Sequence, residues 1–276
     1  MCGIAGYITK DGKKPAVNAR QMADMLIRAM SRGTHATGIF WESETQNKIF
    51  KLPVDAKTFA PKVPWADVLK SPVCLMHTRH ATQGNPSTNS NNHPLIDGDI
   101  VLTHNGVIHN SYEFVSNEIT DSFAIIEAYQ QAKNKKDTFA MGMKKGLKLL
   151  SGSIACAMYR SGKLLLVKSG NPLFLGFKGN TIFWASTRHI LNAVKPDYIV
   201  EVPGNYMYSI SNNNFKGYAV ATKGGDNNGR EWFEFGNKAP VCPTMGERRL
   251  DSVYGQRKTA RKRSFWNNLD VQKRRL

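Results

Sequence analysis

Met1-Cys2-Gly3-Ile4-Ala5-Gly6-Tyr7 opens the chain. Removal of the methionine, which a side chain as small as cysteine permits, leaves one residue carrying both a thiol and a free α-amine. The reference pKa of an α-amine is about 7.7–8.0, so near neutral pH a usable fraction is an unprotonated base. N-terminal nucleophiles activate themselves in this way, the amine taking the proton of its own side chain through a water. Gly3 is expected to let backbone and substrate pass close to the sulfur. Ile4, Ala5 and Tyr7 predict a short strand that fixes the terminus in a core. A second-position cysteine is usually incidental, so this reading draws its weight from the residues downstream.

The 276 residues are enough for one large domain, or one domain with an appendage. The four cysteines, Cys2, Cys74, Cys156 and Cys242, are widely spaced and form neither a zinc motif nor a disulfide framework. A reduced, cytoplasmic compartment is therefore expected. Lys10, Asp11, Lys13 and Lys14 interrupt any signal-peptide apolar region. No run approaches the roughly 18 apolar residues of a membrane span, and no membrane association is expected. The formal net charge is +17, of which +7 falls between Glu247 and Leu276, where ten Lys/Arg meet three acids.

Met22, Met25, Leu26, Ala29 and Met30 mark the apolar face of an amphipathic helix over Asn18–Ser31, read as core packing. It runs into Arg32-Gly33-Thr34-His35-Ala36-Thr37-Gly38, read as a loop before a strand starting at Ile39. Arg32 can cap the helix carbonyls or brace the N-terminal segment. Residues 42–70 are polar and proline-bearing, and predict a strand plus a connecting loop. Val73–Met76 predicts a buried strand that delivers His77-Thr78-Arg79-His80-Ala81-Thr82-Gln83-Gly84. Asn91-Asn92-His93-Pro94-Leu95 follows, then a strand Ile100–Leu102 running into Thr103-His104-Asn105-Gly106-Val107-Ile108-His109-Asn110, then a helix start at Thr120-Asp121-Ser122. The second half predicts a helix over Gly142–Leu150. It also predicts antiparallel strands at Ile154–Tyr159, Lys163–Lys168, Leu173–Phe177, Thr181–Ala185, Ile199–Val202 and Tyr206–Ile210. Composition and pattern by themselves say α+β.

Six of the seven histidines lie between His35 and His109. A metal is not expected there, because a strand scatters the His77/His80 pair to opposite faces. No acid stands at helical spacing with two of the histidines, as a zinc hydrolase helix requires. The histidines are expected to be hydrogen-bonding struts in loops, and no cofactor is called for. The same loops hold the parts for hydrolysing an amide of a free amino acid. Arg79 offers a planar fork for an α-carboxylate, Thr82 a hydroxyl at the same end, and Asp121 a charge for an α-ammonium. The Asn105 side-chain amide and the Gly106 N–H can form an oxyanion hole. Each has a plain alternative: Arg79 in a surface ion pair, Asn105-Gly106 as a hairpin turn, Asp121 as a helix cap.

The ordered set MCGIAGY, RGTHATGI, HTRHATQG, NNHPL, THNGVIHN and TDSF resembles the glutaminase domain of class II glutamine amidotransferases, members of the N-terminal-nucleophile hydrolases. Leu150–Ala155, Lys163–Lys168, Gly170-Asn171-Pro172-Leu173 and Trp184-Ala185-Ser186 extend the resemblance, which covers roughly residues 1–220. It implies a four-layer αββα sandwich. It implies Cys2 as nucleophile, Asn105 and Gly106 as oxyanion hole, and glutamine held by Arg79, Thr82 and Asp121, with His80 and Arg32 beside them. Two departures are visible: His80 and Gln83 stand where relatives vary, and His35 stands where many relatives carry an acid.

Beyond about Lys223 the composition changes, so residues 1–222 are expected to form the glutaminase domain and 223–276 a basic, flexible extension with a Gly224–Gly229 linker. The expected function is hydrolysis of L-glutamine to glutamate and ammonia through a Cys2 thioester. Ammonia would pass to a separate synthase or transferase subunit, since the extension is too short for a second catalytic domain. The ten basic residues of the tail, with Phe265 and Trp266, suit nucleic acid or an acidic partner, or simply solubilise the chain. Two other functions remain open: a stand-alone hydrolase of γ-glutamyl or other small amides, and a glutamine-sensing, nucleic-acid-associated protein.

Overall fold

In a computed structural model, residues 1–43, 46–212 and 214–223 are described. The predicted linker, the aromatics Trp232, Phe233 and Phe235, and the basic arm lie outside the described residues.

The first strand, β1 (Gly3–Thr9), leads to helix α1 (Ala19–Ala29) and strands β2 (Ala36–Glu42) and β3 (Asn47–Leu52). Short helices α2 (Ala56–Phe59) and α3 (Trp65–Val68) precede β4 (Val73–Arg79), β5 (Leu95–Asp97) and β6 (Ile100–Ile108). Helices α4 (Phe123–Ala132) and α5 (Phe139–Leu147) then lead to β7 (Gly152–Arg160), β8 (Lys163–Ser169), β9 (Phe174–Lys178) and β10 (Thr181–Ala185). Helix α6 (Arg188–Leu191) and strands β11 (Tyr198–Glu201), β12 (Tyr206–Ser211) and β13 (Asn214–Ala219) complete the described chain. Among the described residues, no helix is long and apolar enough to cross a membrane.

Two antiparallel sheets result, ordered β11-β9-β10-β1-β4-β2-β3 and β13-β12-β8-β7-β6-β5. Alternation along the strands explains how they stack. Ile4 and Ile8 of β1, Val73 and Leu75 of β4, and Val101 of β6 share one core between the sheets. Ala5, Tyr7, Cys74 and Met76 point the other way, onto α1, α2 and α6. Leu102 and Ile108 of β6 pack with α4 and α5 on the far face of the second sheet. The layers are therefore helix, sheet, sheet, helix, an α+β sandwich of the αββα type.

Several expectations need correcting. The strand after Arg32 begins at Ala36, because Ala36 already pairs with Arg79 of β4. The polar stretch 42–70 holds two short helices as well as a strand; Asp55 caps α2 by accepting from the Thr58 N–H at 2.9 Å. Helix α5 begins three residues before the expected Gly142. Thr138 is its N-cap, and Gly142 and Gly146 lie against Tyr129, which a Cβ would approach within 2.8–2.9 Å. These glycines serve helix packing, letting α5 approach α4 closely at Tyr129. Helix α1 matches its expected place, closed by a reciprocal Asn18–Gln21 capping box that typically contributes about 1 kcal/mol.

Candidate active site

Strand parity brings the chemistry together. Gly3 pairs with Thr78 and Ile4 with His77, so Cys2 continues the β1 ladder opposite Arg79. Cys2 and Arg79 thus share the inter-sheet face of their strands with Ile4 and Leu75. On β6, Asn105 has the parity of Val101 and faces the same space from the second sheet. Asn105-Gly106 lies inside β6, paired with Ala155 and Ile154 of β7, and is not a hairpin turn.

The N-terminal segment is held on all sides. Ser186, directly after β10, accepts from the Ile4 N–H at 2.9 Å and donates its own N–H to Ile4 O at 3.0 Å. Gly3 is demanded by packing, not by substrate access: a Cβ there would lie 2.5 Å from Thr78 Oγ1 and 2.6 Å from Ala29 O. Arg32 Nε donates to Cys2 O at 2.9 Å. That contact braces the segment and keeps Arg32 out of the pocket, where the expected glutamine contact would have put it.

Cys2 is half-buried, and its Sγ is 3.3 Å from the His80 N–H and 3.5 Å from His80 O. Burial pushes the thiol pKa up, while the His80 N–H and the positive N-terminus and Arg79 pull it down. One narrow pocket is lined by Cys2, Arg79, His80, Thr82, Gly106 and Asp121, together with Gln83, His93, His104, Thr120 and Ser122. Its free volume is about 10 Å³, room for about one water. A wider cavity of about 540 Å³ lies beyond Gly84, against Asn91 and Glu118, and none of the expected catalytic residues lines it.

Arg79 is only 2% exposed. Its Nη1 donates to Asn92 Oδ1 at 2.7 Å, and its Nη2 to Gln83 O at 2.5 Å and Gly84 O at 2.9 Å. It is no surface ion pair. Asp121 is no helix cap: its Oδ2 accepts from the Ile108 N–H of β6 at 2.8 Å. Successive N–H groups alternate between strand edges, so the Gly106 N–H, two residues earlier, lies on that same edge. Asn105 is fully buried, and neither its Oδ1 nor its Nδ2 has a partner among the described residues. Its backbone oxygen accepts from Asn171 Nδ2 at 3.0 Å. Sequence reasoning misses Asn171 as a site residue; the Gly-Asn-Pro turn that carries it is its only signal.

Thr82 is exposed at the pocket rim, and the His80 ring lies outside, stacked on His35. Of the other histidines, His77 and His104 sit on strands β4 and β6, His93 and His109 in loops, and His189 on α6. His77 Nε2 bonds His104 O at 3.0 Å, and His104 Nδ1 bonds Ser122 Oγ at 2.9 Å, joining β4, β6 and the start of α4. The His93 ring stacks on His77 at 4.1 Å, and neither of its nitrogens has a partner among the described residues. Burial lowers the pKa of His77 to about 3, and lowers those of His93 and His104 as well. Among the described residues, no group of three His, Cys, Asp or Glu side chains could hold a metal ion.

No protein-family model matches the sequence. The glutamine–fructose-6-phosphate aminotransferase (isomerizing) of Helicobacter pylori strain J99 is 30% identical over 229 residues, covering 78% of this chain and 37% of that protein. The Methanosarcina mazei protein of the same name is 30% identical over 67% of this chain and 32% of its own length. The chain thus spans about a third of the length of these relatives. Among solved structures, the glutamine phosphoribosylpyrophosphate amidotransferase from B. subtilis superposes with a TM-score of 0.65 at 18% identity, over 80% of this chain and 49% of that one. A glutamine aminotransferase class-II domain protein from Silicibacter pomeroyi superposes with a TM-score of 0.53 at 12% identity, over 80% of this chain and all of that one. These two share the fold. The sequence relatives and the fold agree: the described residues are a class II glutamine amidotransferase domain, built as an N-terminal-nucleophile hydrolase.

Proposed function

We propose that this domain hydrolyses L-glutamine to glutamate and ammonia through a thioester on Cys2, and that the ammonia passes to an acceptor enzyme or domain. The observation that supports this most strongly is the meeting of Cys2, Arg79, Gly106 and Asp121 in one pocket, with the unpartnered Asn105 amide buried at its strand. Met1 is 66% exposed, within reach of an aminopeptidase. The freed α-amine of Cys2 takes the thiol proton, and the thiolate adds to the side-chain amide carbon of glutamine. Asn105 Nδ2 and the Gly106 N–H stabilise the oxyanion. The intermediate collapses with the amine's proton going to the leaving nitrogen, which departs as ammonia. Water then cleaves the thioester, releasing glutamate and restoring the thiol.

In this reading Arg79 binds the α-carboxylate and Asp121 the α-ammonium, with Thr82 and the His80 backbone at the rim. Arg32 acts on the nucleophile's own backbone. A pocket of about 10 Å³ admits glutamine only if Thr82–Gly84 moves aside, which frees Arg79 Nη2 from two loop carbonyls. A substrate with free α-carboxylate and α-ammonium groups is favoured over an amide in which these are blocked, because both an arginine and a carboxylate line the pocket. We place the end of the catalytic domain near Lys223, whose N–H donates to Leu150 O at 2.7 Å. On composition, the Glu247–Leu276 segment suits a polyanion such as nucleic acid.

The test is intact-mass analysis with diazo-oxo-norleucine. The mature chain should lack Met1 and take up one label, on Cys2. Cys2→Ser should abolish both labelling and nearly all ammonia release, since a hydroxyl is a far weaker nucleophile. Active enzyme that retains Met1 would refute self-activation by the amine.

A further inference from the structure

We propose that His35 is a positioning residue that clamps the His80 peptide against the Cys2 thiol. The inference rests on the glutaminase reading above for its kinetic consequence, and on geometry for the clamp itself. The β2–β4 ladder ends at Ala36 opposite Arg79. One residue earlier, the His35 N–H donates to Arg79 O at 3.0 Å. Beyond that point it is a side chain that carries the pairing on: the Ala81 N–H donates to His35 Nδ1 at 3.0 Å. The ring also stacks on the His80 ring, centroids 5.0 Å apart and planes inclined by 23°. His35 therefore grips the chain on both sides of His80. The peptide groups between those grips put the His80 N–H and C=O on Cys2 Sγ, at 3.3 and 3.5 Å.

The chemistry of the grip is specific. Nδ1 accepts only when it carries no proton, so the ring is neutral with its hydrogen on Nε2. Any residue presenting an acceptor two bonds beyond Cβ could serve, and asparagine places Oδ1 where Nδ1 stands. Glutamine places its acceptor one bond too far. Of the contacts on the thiol, the His80 N–H is the hydrogen bond that favours the thiolate against burial. Losing its alignment should slow the chemical step, whereas the Arg79 side chain keeps its separate anchor on Asn92 Oδ1.

The experiment compares His35→Ala, His35→Asn and His35→Gln in the full chain, by glutamine kinetics and by hydrogen exchange at the Ala81 amide. His35→Ala and His35→Gln should lower kcat about tenfold, the effect of one aligned hydrogen bond to a charged group, with KM within about twofold. Exchange at Ala81 should quicken about tenfold or more in both. His35→Asn should keep kcat within about threefold and retain the protection. Unchanged exchange in His35→Ala overturns the clamp. Faster exchange with unchanged kcat overturns its role in positioning. Equal impairment by Asn and Ala removes the Nδ1 acceptor from the explanation. If the wild-type chain released no ammonia from glutamine, the functional reading would fail, and the exchange pattern would still decide the clamp.

Discussion

The carboxylate of Asp121 reaches back across its loop to the Ile108 N–H of β6 at 2.8 Å. The acid that precedes α4 is thereby fixed to the strand that carries Asn105 and Gly106. A second contact, from the Thr120 N–H to Asn91 Oδ1 at 3.0 Å, holds the same turn. Structural and binding roles of Asp121 can be separated. Asp121→Asn retains an acceptor for Ile108 but loses the charge that would meet an α-ammonium. Its KM for glutamine should rise about 10- to 100-fold, the worth of a hydrogen bond to a charged group, with its urea midpoint near that of the wild type. Asp121→Ala should lose on both counts. Unchanged glutamine kinetics in the Asn variant would remove Asp121 from substrate binding.

Arg79 is held by three acceptors in two directions, a geometry that suits a planar fork. An ammonium cannot reproduce it. Arg79→Lys should raise KM at least about tenfold and lower stability by about 1–3 kcal/mol, as buried acceptors lose their donors. Steady-state kinetics and urea unfolding of the same preparation check both halves.

Asn105 should show the opposite pattern, lost activity without lost stability. Its amide makes no hydrogen bond among the described residues, so Asn105→Ala removes two costly buried polar atoms and little else. Turnover should fall about 10²–10³-fold, as for loss of an oxyanion donor, with the urea midpoint unchanged or higher. A fall in stability matching the fall in kcat would count against the assignment.

The buried histidines set an acid limit on the fold. His77, with a pKa lowered to about 3 by burial, stays neutral in the folded chain, and His93 and His104 are lowered too. Unfolded, each takes up a proton below about pH 6.5. The unfolded state then binds more protons, so stability rises with pH across this window. Their contribution is complete above about pH 6.5 and is lost progressively as the pH falls toward 3. Each histidine that stays neutral in the fold while its unfolded counterpart is charged adds up to about 1.4 kcal/mol per pH unit to the slope. Urea midpoints measured from pH 7 to 4 should follow this, and His93→Phe, which keeps the ring stacked on His77 at 4.1 Å, should remove about one proton from the slope.

A chain ending at Lys223 should hydrolyse glutamine within about twofold of full length, since every proposed catalytic residue precedes Phe123. If the basic segment binds duplex DNA, the truncated chain should lose that affinity. The full-length chain should show a log–log salt slope near −0.9 per phosphate neutralised. Equal binding by both would move the affinity to the domain surface.

Local sequence determined a good deal about this protein. The apolar face Met22, Met25, Leu26 and Ala29 announces α1, the apolar runs around Ile4, Leu75 and Leu165 announce buried strands, and the motif order, through the family it resembles, implies the sandwich. These signals survive because periodicity and turn chemistry act within a few residues. The three-residue strand β5 and the one-turn helices α2, α3 and α6 carry too few residues for such a pattern to be legible. The site geometry was decided elsewhere. Arg32 on the Cys2 carbonyl, Asp121 on Ile108, His35 on Ala81 and His80 on the thiol each join segments separated by 13 to 78 residues. Which of Arg79, Thr78 and His77 shares the face of Cys2 depends on one β1–β4 register. A shift of a single residue would turn Arg79 to the helix layer and Thr78 toward the pocket. Only the packing of two sheets against each other selects that register, because it is the burial of Ile4, Ile8, Val73 and Leu75 in their shared core that makes the alternative unfavourable.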